Sequence, residues 1–373
     1  MKILLLGDAS NYHRALSAGL AALGHDVTLA SDGGAWMRTG RDIDISRPRA
    51  GKLAGAIYWL KLRSMLARDL RGYDVVQLVS PSFVELRPSR LRPLFDRLAA
   101  ANGSVFLTAL GTDSTYVRVL TGPNPPLRYS EWHAGPELSA WSRTPEARFD
   151  AWTSRELASY TDYVYDRVDG VVSALYEYHE VVRAARPDLP LAYGGLPIDL
   201  SAIPAAPGRS AADTFKIYLA AHRGREQEKG ADILFPLVRA FAADHSREVS
   251  LLTPPNMPYA DFLRFLGRTD LIVDQLYSYT PATSALLAMA SGALAVTGCE
   301  PEYMRFIGES APLPIINPSP QAPEAFLSEL ERLLREPERT ADMRVAARAF
   351  VEKHHAAPTV AARFIDFWNK VKS

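Results

Sequence analysis

The chain has 373 residues, 42 Lys and Arg against 42 Asp and Glu, and 47% hydrophobic side chains. At roughly 150 residues per domain this is about two domains, and the balanced charge gives no surplus of cations to release counterions from a polynucleotide, so no nucleic-acid partner is expected. The single cysteine, Cys299, excludes an intramolecular disulfide framework and a cysteine-rich metal site, which points to a cytoplasmic protein.

The opening apolar run ends at Gly7-Asp8, too early for a signal peptide, and reads as a first strand over Lys2–Leu6. A helical pattern follows from about Tyr12 to Leu23, then a strand at Asp26–Ala30 after the Gly24-His25 stop. Further strands are expected at Asp74–Val79, Ser104–Ala109 and Gly170–Ser173, with helices between them. Strands alternating with helices predict parallel sheets with crossover helices. A linker is expected where Gly, Pro and Ala replace the periodic apolar residues, from Gly194 to Gly208. Beyond it the alternation restarts: Phe215–Ala220, a helix from about Gly230, Val249–Leu252, Leu271–Val273, a helix from about Pro281 and Ala293–Thr297. An apolar-periodic helix from Pro358 to Val371 closes the chain. No stretch approaches the ~20 apolar residues that cross a bilayer, so any membrane contact should be peripheral.

The fold class expected is α/β, two Rossmann-like doubly wound domains facing across a cleft. They are residues 1–200 and 201–355, with 356–373 as a helix crossing back to the first. Ligands of such sheets bind outside the carboxyl ends of the strands, so the loops there carry the candidate chemistry. The first loop holds Asp8, Ser10, Asn11 and His13 and lacks the G-x-G-x-x-G spacing, which argues against a dinucleotide cofactor. It reads either as a capped turn or as a substrate contact. Asp113, just past the fourth expected strand, is either a helix cap or a group that binds or deprotonates a hydroxyl. Arg223, Arg225 and Lys229 precede a helix start and could grip a diphosphate, or form a solvated loop offset by Glu226 and Glu228. Asp274 and Tyr279 lead into a helix whose first turn carries Thr283 and Ser284, a candidate phosphate cradle. Glu300 and Glu302 could bind ribose or sugar hydroxyls. The eight His show no metal-ligand spacing, His354-His355 reads as surface polarity, and no metal is expected.

Several of these segments together resemble the GT-B glycosyltransferases, in particular the large retaining family (family 4, or group 1) that uses nucleotide-diphospho-sugars. Arg225 and Lys229-Gly230 are similar to that family's diphosphate-gripping Arg and Lys-Gly pair, with Arg223 competing for the first role. Leu286 to Val296 is similar to its helix-Gly-strand signature, and Glu302 matches the carboxylate after it. Gly111-Thr112-Asp113 resembles a Gly-Ser-Asp turn, and Gly195 to Asp199 a Pro-x-Asp segment. The family's pair of Glu residues eight apart, which contact the donor sugar and the ribose respectively, falls on Tyr279 and Leu287, and its helix-start Gly on Ala282, so both carboxylates are missing. The resemblance implies a hexosyltransferase that moves sugar from a nucleotide-diphospho-sugar to a glycan or lipid-linked hydroxyl in cell-surface polysaccharide synthesis. Stereochemistry would be retained, without metal or cofactor, with Asp113 and His13 on the acceptor side. The alternative is a non-catalytic GT-B fold that binds glycan or a partner protein; a nucleotide-sugar epimerase would need acid and base carboxylates that the sequence does not single out.

Residues 38–97 hold 13 Lys/Arg against six acids, with Ile57-Tyr58-Trp59-Leu60 among them. This region reads either as a peripheral contact with an anionic membrane, at the inner face of the plasma membrane, or as a helix packed on the sheet with a solvated basic face.

Overall fold

The computed structural model describes residues 1–34, 40–135, 137–203, 214–220, 224–254 and 257–372. Its strands in chain order are β1 (Lys2–Leu6), β2 (Asp26–Ser31), β3 (Ile43–Asp44), β4 (Val75–Leu78), β5 (Ser104–Ala109), β6 (His133–Ala134), β7 (Glu137–Leu138), β8 (Gly170–Ser173), β9 (Leu191–Tyr193), β10 (Phe215–Leu219), β11 (Val249–Leu252), β12 (Leu271–Val273) and β13 (Leu294–Val296). The chain divides into two compact units. One comprises Met1–Pro126, Phe149–Pro197 and Ala357–Ser373, the other Leu127–Arg148 and Ile198–Ala356. Segment Leu127–Arg148, which the sequence reading leaves inside residues 1–200, belongs to the second unit.

The first unit is built on a parallel sheet of order β3-β2-β1-β4-β5-β8-β9. Its central strands are buried on both faces, which is why they read as largely apolar runs: Ile3 to Leu6, Val75 to Leu78, where Gln77 is the polar exception, and Val105 to Leu107 are each almost solvent-free. Chain order reverses between β1 and β4, so the loops that follow these two strands flank the switch point. The Lys52–Arg68 helix buries Tyr58, Leu62, Met65 and Leu66 against one face. The closing helix, Ala357–Lys372, packs on the Tyr12–Ala22 helix and buries Val360, Ala361, Phe364 and Trp368. Phe106 of β5 meets the edge of Phe367, with ring centroids 5.7 Å apart.

The second unit holds a parallel sheet of order β11-β10-β12-β13, whose reversal lies between β10 and β12. The Ala231–Asp244 and Thr283–Ala290 helices bury apolar side chains, Leu234 and Val238 in the first, Leu286 and Met289 in the second. His354 and His355 correct the expectation of surface polarity. Both are buried, because the face that continues from Phe350 turns inward: the two imidazoles pack on Phe350, and His354 Nε2 meets Glu309 at 2.6 Å.

Candidate functional site

In the first unit, the loop after β1 is held from below by a buried hydrogen-bond relay. The Gly7 carbonyl can only accept, so His13 Nδ1, 2.7 Å away, carries the proton and Nε2 is the acceptor facing Thr108 Oγ1 at 3.4 Å. Thr108 also receives a bond from Gln77 Nε2 at 2.9 Å, and Gln77 Oε1 accepts one from Trp368 Nε1 at 3.1 Å. All four side chains are solvent-free. Burial lowers the His13 pKa to about 4, so the imidazole is neutral at pH 7. His13 therefore fixes the loop from inside the unit rather than standing on its surface.

Above it, Ser10 and Asn11 are both left-handed, at φ 52° and 65°, a conformation that costs a non-glycine residue about 1 kcal/mol or more. Strained loop backbone of this kind concentrates at ligand sites. Asp8 Oδ1 accepts from the His13 amide at 2.9 Å, while Oδ2 is buried with no hydrogen-bond partner among the described residues. Burial pushes the Asp8 carboxyl up to about 6, against the opposing bonds from the amides of His13, Ala9 and Arg14. Asp113 caps the Ser114–Leu120 helix, accepting from the Tyr116 amide at 2.7 Å, and takes a second bond from the Tyr165 hydroxyl at 3.0 Å. Burial raises its pKa as well. It lines a water-sized cavity of about 10 Å³ with Gly111, Tyr116, Tyr165 and Tyr178.

In the second unit the switch point brings Lys229 and Asp274 together. Lys229 Nζ lies 3.1 Å from Asp274 Oδ1, and their side chains are 13% and 0% exposed. A turn fixes this geometry. Gly230 takes φ 69°, a Cβ on it would come within 2.5 Å of Leu276, and the Leu276 amide donates to the Lys229 carbonyl at 2.7 Å. Asp274 Oδ2 is buried with no partner among the described residues, and so is Thr297 Oγ1 on the neighbouring strand end. Arg225 closes an i, i+3 ion pair with Glu228, whereas Arg223 lies outside the described residues. Thr283 and Ser284 open a helix whose first amides receive no side-chain cap.

Glu300 and Glu302 already hold partners that the sequence reading missed. Arg128 pairs with both carboxylates, through Nη2 to Glu300 and through Nε to Glu302 Oε1 at 2.8 Å. Glu300 Oε1 also accepts from Tyr129 Oη at 2.6 Å and from Asn317 Nδ2 at 3.0 Å. Burial alone would raise Glu302, but hydrogen bonding and attraction to Arg128, helped by Arg305, take its pKa below the ordinary value. Tyr279 is buried, stacks on Tyr129 with centroids 4.9 Å apart, and accepts at its hydroxyl from the Arg128 amide at 2.8 Å. Gly298 keeps the loop close, since a Cβ there would overlap the Ser278 backbone. A stretch with three Pro, one Tyr and one Trp, residues 123–132, is the one sequence signal that could have pointed to Arg128 and Tyr129.

Among the described residues no group of three or more His, Cys, Asp or Glu is placed to hold a metal, and no helix is long and apolar enough to cross a membrane.

No protein-family model matches the chain, and no curated protein matches it in sequence. Solved structures do match over its whole length. Sucrose-phosphate synthase from Thermosynechococcus elongatus aligns with a TM-score of 0.64 at 12% identity, covering 100% of this chain and 99% of that one. HepE from Anabaena, in complex with UDP and glucose, aligns with a TM-score of 0.60 at 13% identity over 99% of both chains. A glycosyltransferase from Rickettsia africae aligns with a TM-score of 0.57 at 10% identity, covering 100% and 99%. Likeness at these identities carries the architecture, and on that ground the chain has the GT-B fold of these proteins.

Proposed function

We propose that the protein is a retaining glycosyltransferase that takes a hexose from a nucleotide-diphospho-sugar to a hydroxyl of a glycan or lipid-linked acceptor, in cell-surface polysaccharide synthesis. The observation that carries the reading is shared by both units. Each leaves a carboxylate oxygen buried and without a hydrogen-bond partner among the described residues, Asp8 Oδ2 after β1 and Asp274 Oδ2 after β12, each beside the reversal of strand order. A buried acceptor without a donor is costly, and a sugar or ribose hydroxyl supplies that donor. A solved relative in fold, HepE, holds UDP-glucose in its structure, which supports a nucleotide sugar as donor here.

The second unit would take the donor. Arg225 and the uncapped amides at Thr283 and Ser284 would meet its diphosphate, with Arg223 alongside. Lys229, whose ammonium is shared with Asp274, would neutralise charge developing on the leaving diphosphate, the electrostatic role of an oxyanion hole. Glu300 and Glu302 would reach ribose or sugar hydroxyls through the edges that Arg128 leaves open. The first unit would take the acceptor, with Asp8, Ser10 and Asn11 at the loop surface, His13 holding the loop and Asp113 bounding its neighbour. No metal or cofactor is part of this scheme, and the single cysteine supports a cytoplasmic setting.

A specific observation favours a second reading, a GT-B fold that binds glycan without turnover. The positions matching the family's Glu pair are the buried Tyr279 and Leu287, and Arg128 already neutralises the carboxylates that could replace them. One screen separates the two. Melting is followed with UDP, GDP, ADP, CMP and their sugar conjugates, and release of nucleoside diphosphate is then measured with acceptor glycans. A ligand at 100 times its Kd adds about 2.7 kcal/mol of stability. Transfer predicts stabilisation by one diphosphate, at least tenfold weaker binding in Arg225→Gln, and diphosphate release. Stabilisation by glycan alone, without release, supports the binder, and no shift with any nucleotide overturns the transferase reading.

A further inference from the structure

The Lys52–Arg68 helix is apolar on two opposite faces. Tyr58, Leu62, Met65 and Leu66 face the core, yet Leu53, Ile57 and Leu60 recur at i, i+4 and i+7 on the outer side and are 77%, 58% and 58% exposed. At about 100° per residue these three form one stripe along the helix, joined by Ala56 and Ala67. Basic side chains run along both edges, with Lys61 and Arg68 on one and Lys52 and Arg63 on the other. The helix contains no Asp or Glu. Arg63 and Arg90 both lie over the Trp59 ring of this helix, at 4.6 and 4.8 Å from the centroid, so Arg90 adds a cation to the same helix surface. Two nearby acids are already neutralised, since Asp44 pairs with Arg41 and Glu85 with Arg47. Residues 38–97 thus concentrate a cationic excess in a chain whose net charge is zero.

We infer that this outer face docks on an anionic lipid surface, with Leu53, Ile57 and Leu60 entering the boundary between headgroups and acyl chains while the flanking Lys and Arg bind lipid phosphates. The charge decides between occupants. A second copy of this chain would bring the same cations against these, whereas an anionic bilayer complements the bases and takes up the leucines at once. The helix lies in the plane of such a surface, because its inner face is committed to the sheet. The inference is independent of the transferase reading, and its test needs neither donor nor acceptor.

The full chain is sedimented with vesicles of phosphatidylcholine alone and with vesicles in which phosphatidylglycerol replaces part of it, at low and high salt. Binding is expected only to the anionic vesicles and should weaken with salt. The variant Leu53→Ser/Ile57→Ser/Leu60→Ser, whose changes lie outside the core and should leave melting unaltered, is expected to bind at least tenfold more weakly. Lys52→Gln/Lys61→Gln/Arg68→Gln should lose about fivefold per base removed. Equal binding to both vesicle types, or undiminished binding by the serine variant, overturns the inference. So does a lipid-free dimer that the serine variant converts to monomer, because the stripe is then covered by a second copy.

Discussion

Replacing Lys229 by methionine removes the only cation within reach of a carboxylate that has no exposed surface among the described residues. Asp274 would then be left without its counter-ion at a strand end, and breaking a buried pair in this way costs about 3–5 kcal/mol. The second unit has about 180 residues, for which each kcal/mol moves the melting temperature by roughly 2–4 °C, so a drop of roughly 6–20 °C is expected. Lys229→Met/Asp274→Leu removes both charges and should recover to within about 1 kcal/mol of the wild type, giving a large coupling energy in a double-mutant cycle. Urea unfolding followed by intrinsic fluorescence, with unchanged m-values, supplies the four stabilities. A loss below about 1 kcal/mol in Lys229→Met would refute the view that the pair is dry and mutually dependent. The same reasoning governs ligand work: weakened nucleotide binding in a Lys229 single variant is to be read beside its loss of stability, because the broken pair and the lost contact both lower it.

Acid behaviour should reveal two opposed groups in the loop after β1. His13 folds with its pKa lowered to about 4, so it loses stability as pH falls from about 6.5, while Asp8, raised from 3.8 to about 6, loses stability as pH rises through that window. The two slopes nearly cancel, so Asp8→Asn should uncover a loss of about 3 kcal/mol between pH 6.5 and 4 that the wild type lacks; equally flat urea midpoints for both proteins would contradict it. Arg128→Ala should cost about 1 kcal/mol at pH 7, since the guanidinium is half exposed. That difference should shrink as acid protonates Glu302, whose pKa is depressed in the folded state and whose contribution is lost as pH falls through it. Cys299 is buried, with its thiol pushed up to about 12, so iodoacetamide should leave the native protein unlabelled at neutral pH and label one site in denaturant; native labelling would show that the loop after β13 opens.

The strands were legible because the centre of a parallel sheet is dry on both sides: Lys2–Leu6, Ser104–Ala109, Gly170–Ser173 and Leu271–Val273 each read directly as β-rich runs. Edge strands β3 and β9 were not, being short and half-covered, with little pattern to show. Of the site residues, Lys229-Gly230 and Asp274 stood out by their place after a strand. Their pairing with each other did not, because it joins residues 45 apart in the chain. Arg128 and Tyr129 were invisible for the same reason: their carboxylate partners are more than 170 residues away, and the loop that carries them has no period. Burial of His13 was hidden by its polarity, since a polar residue at a helix start reads as a surface group unless the relay beneath it is known.

Both units are assembled from discontinuous pieces of chain, and this bears on how the protein emerges during synthesis. Translation delivers β1 to β9 before any of the Ala357–Lys372 helix exists, so the faces of Phe106 and the Tyr12–Ala22 helix that it covers stay open to solvent while the entire second sheet is being made. Arg128, Tyr129 and the rest of Leu127–Arg148 wait in the same way for Tyr279 and Glu300. Neither unit can lock before its late-arriving piece, and the nascent chain exposes sticky apolar surface throughout that interval, a substrate for chaperones.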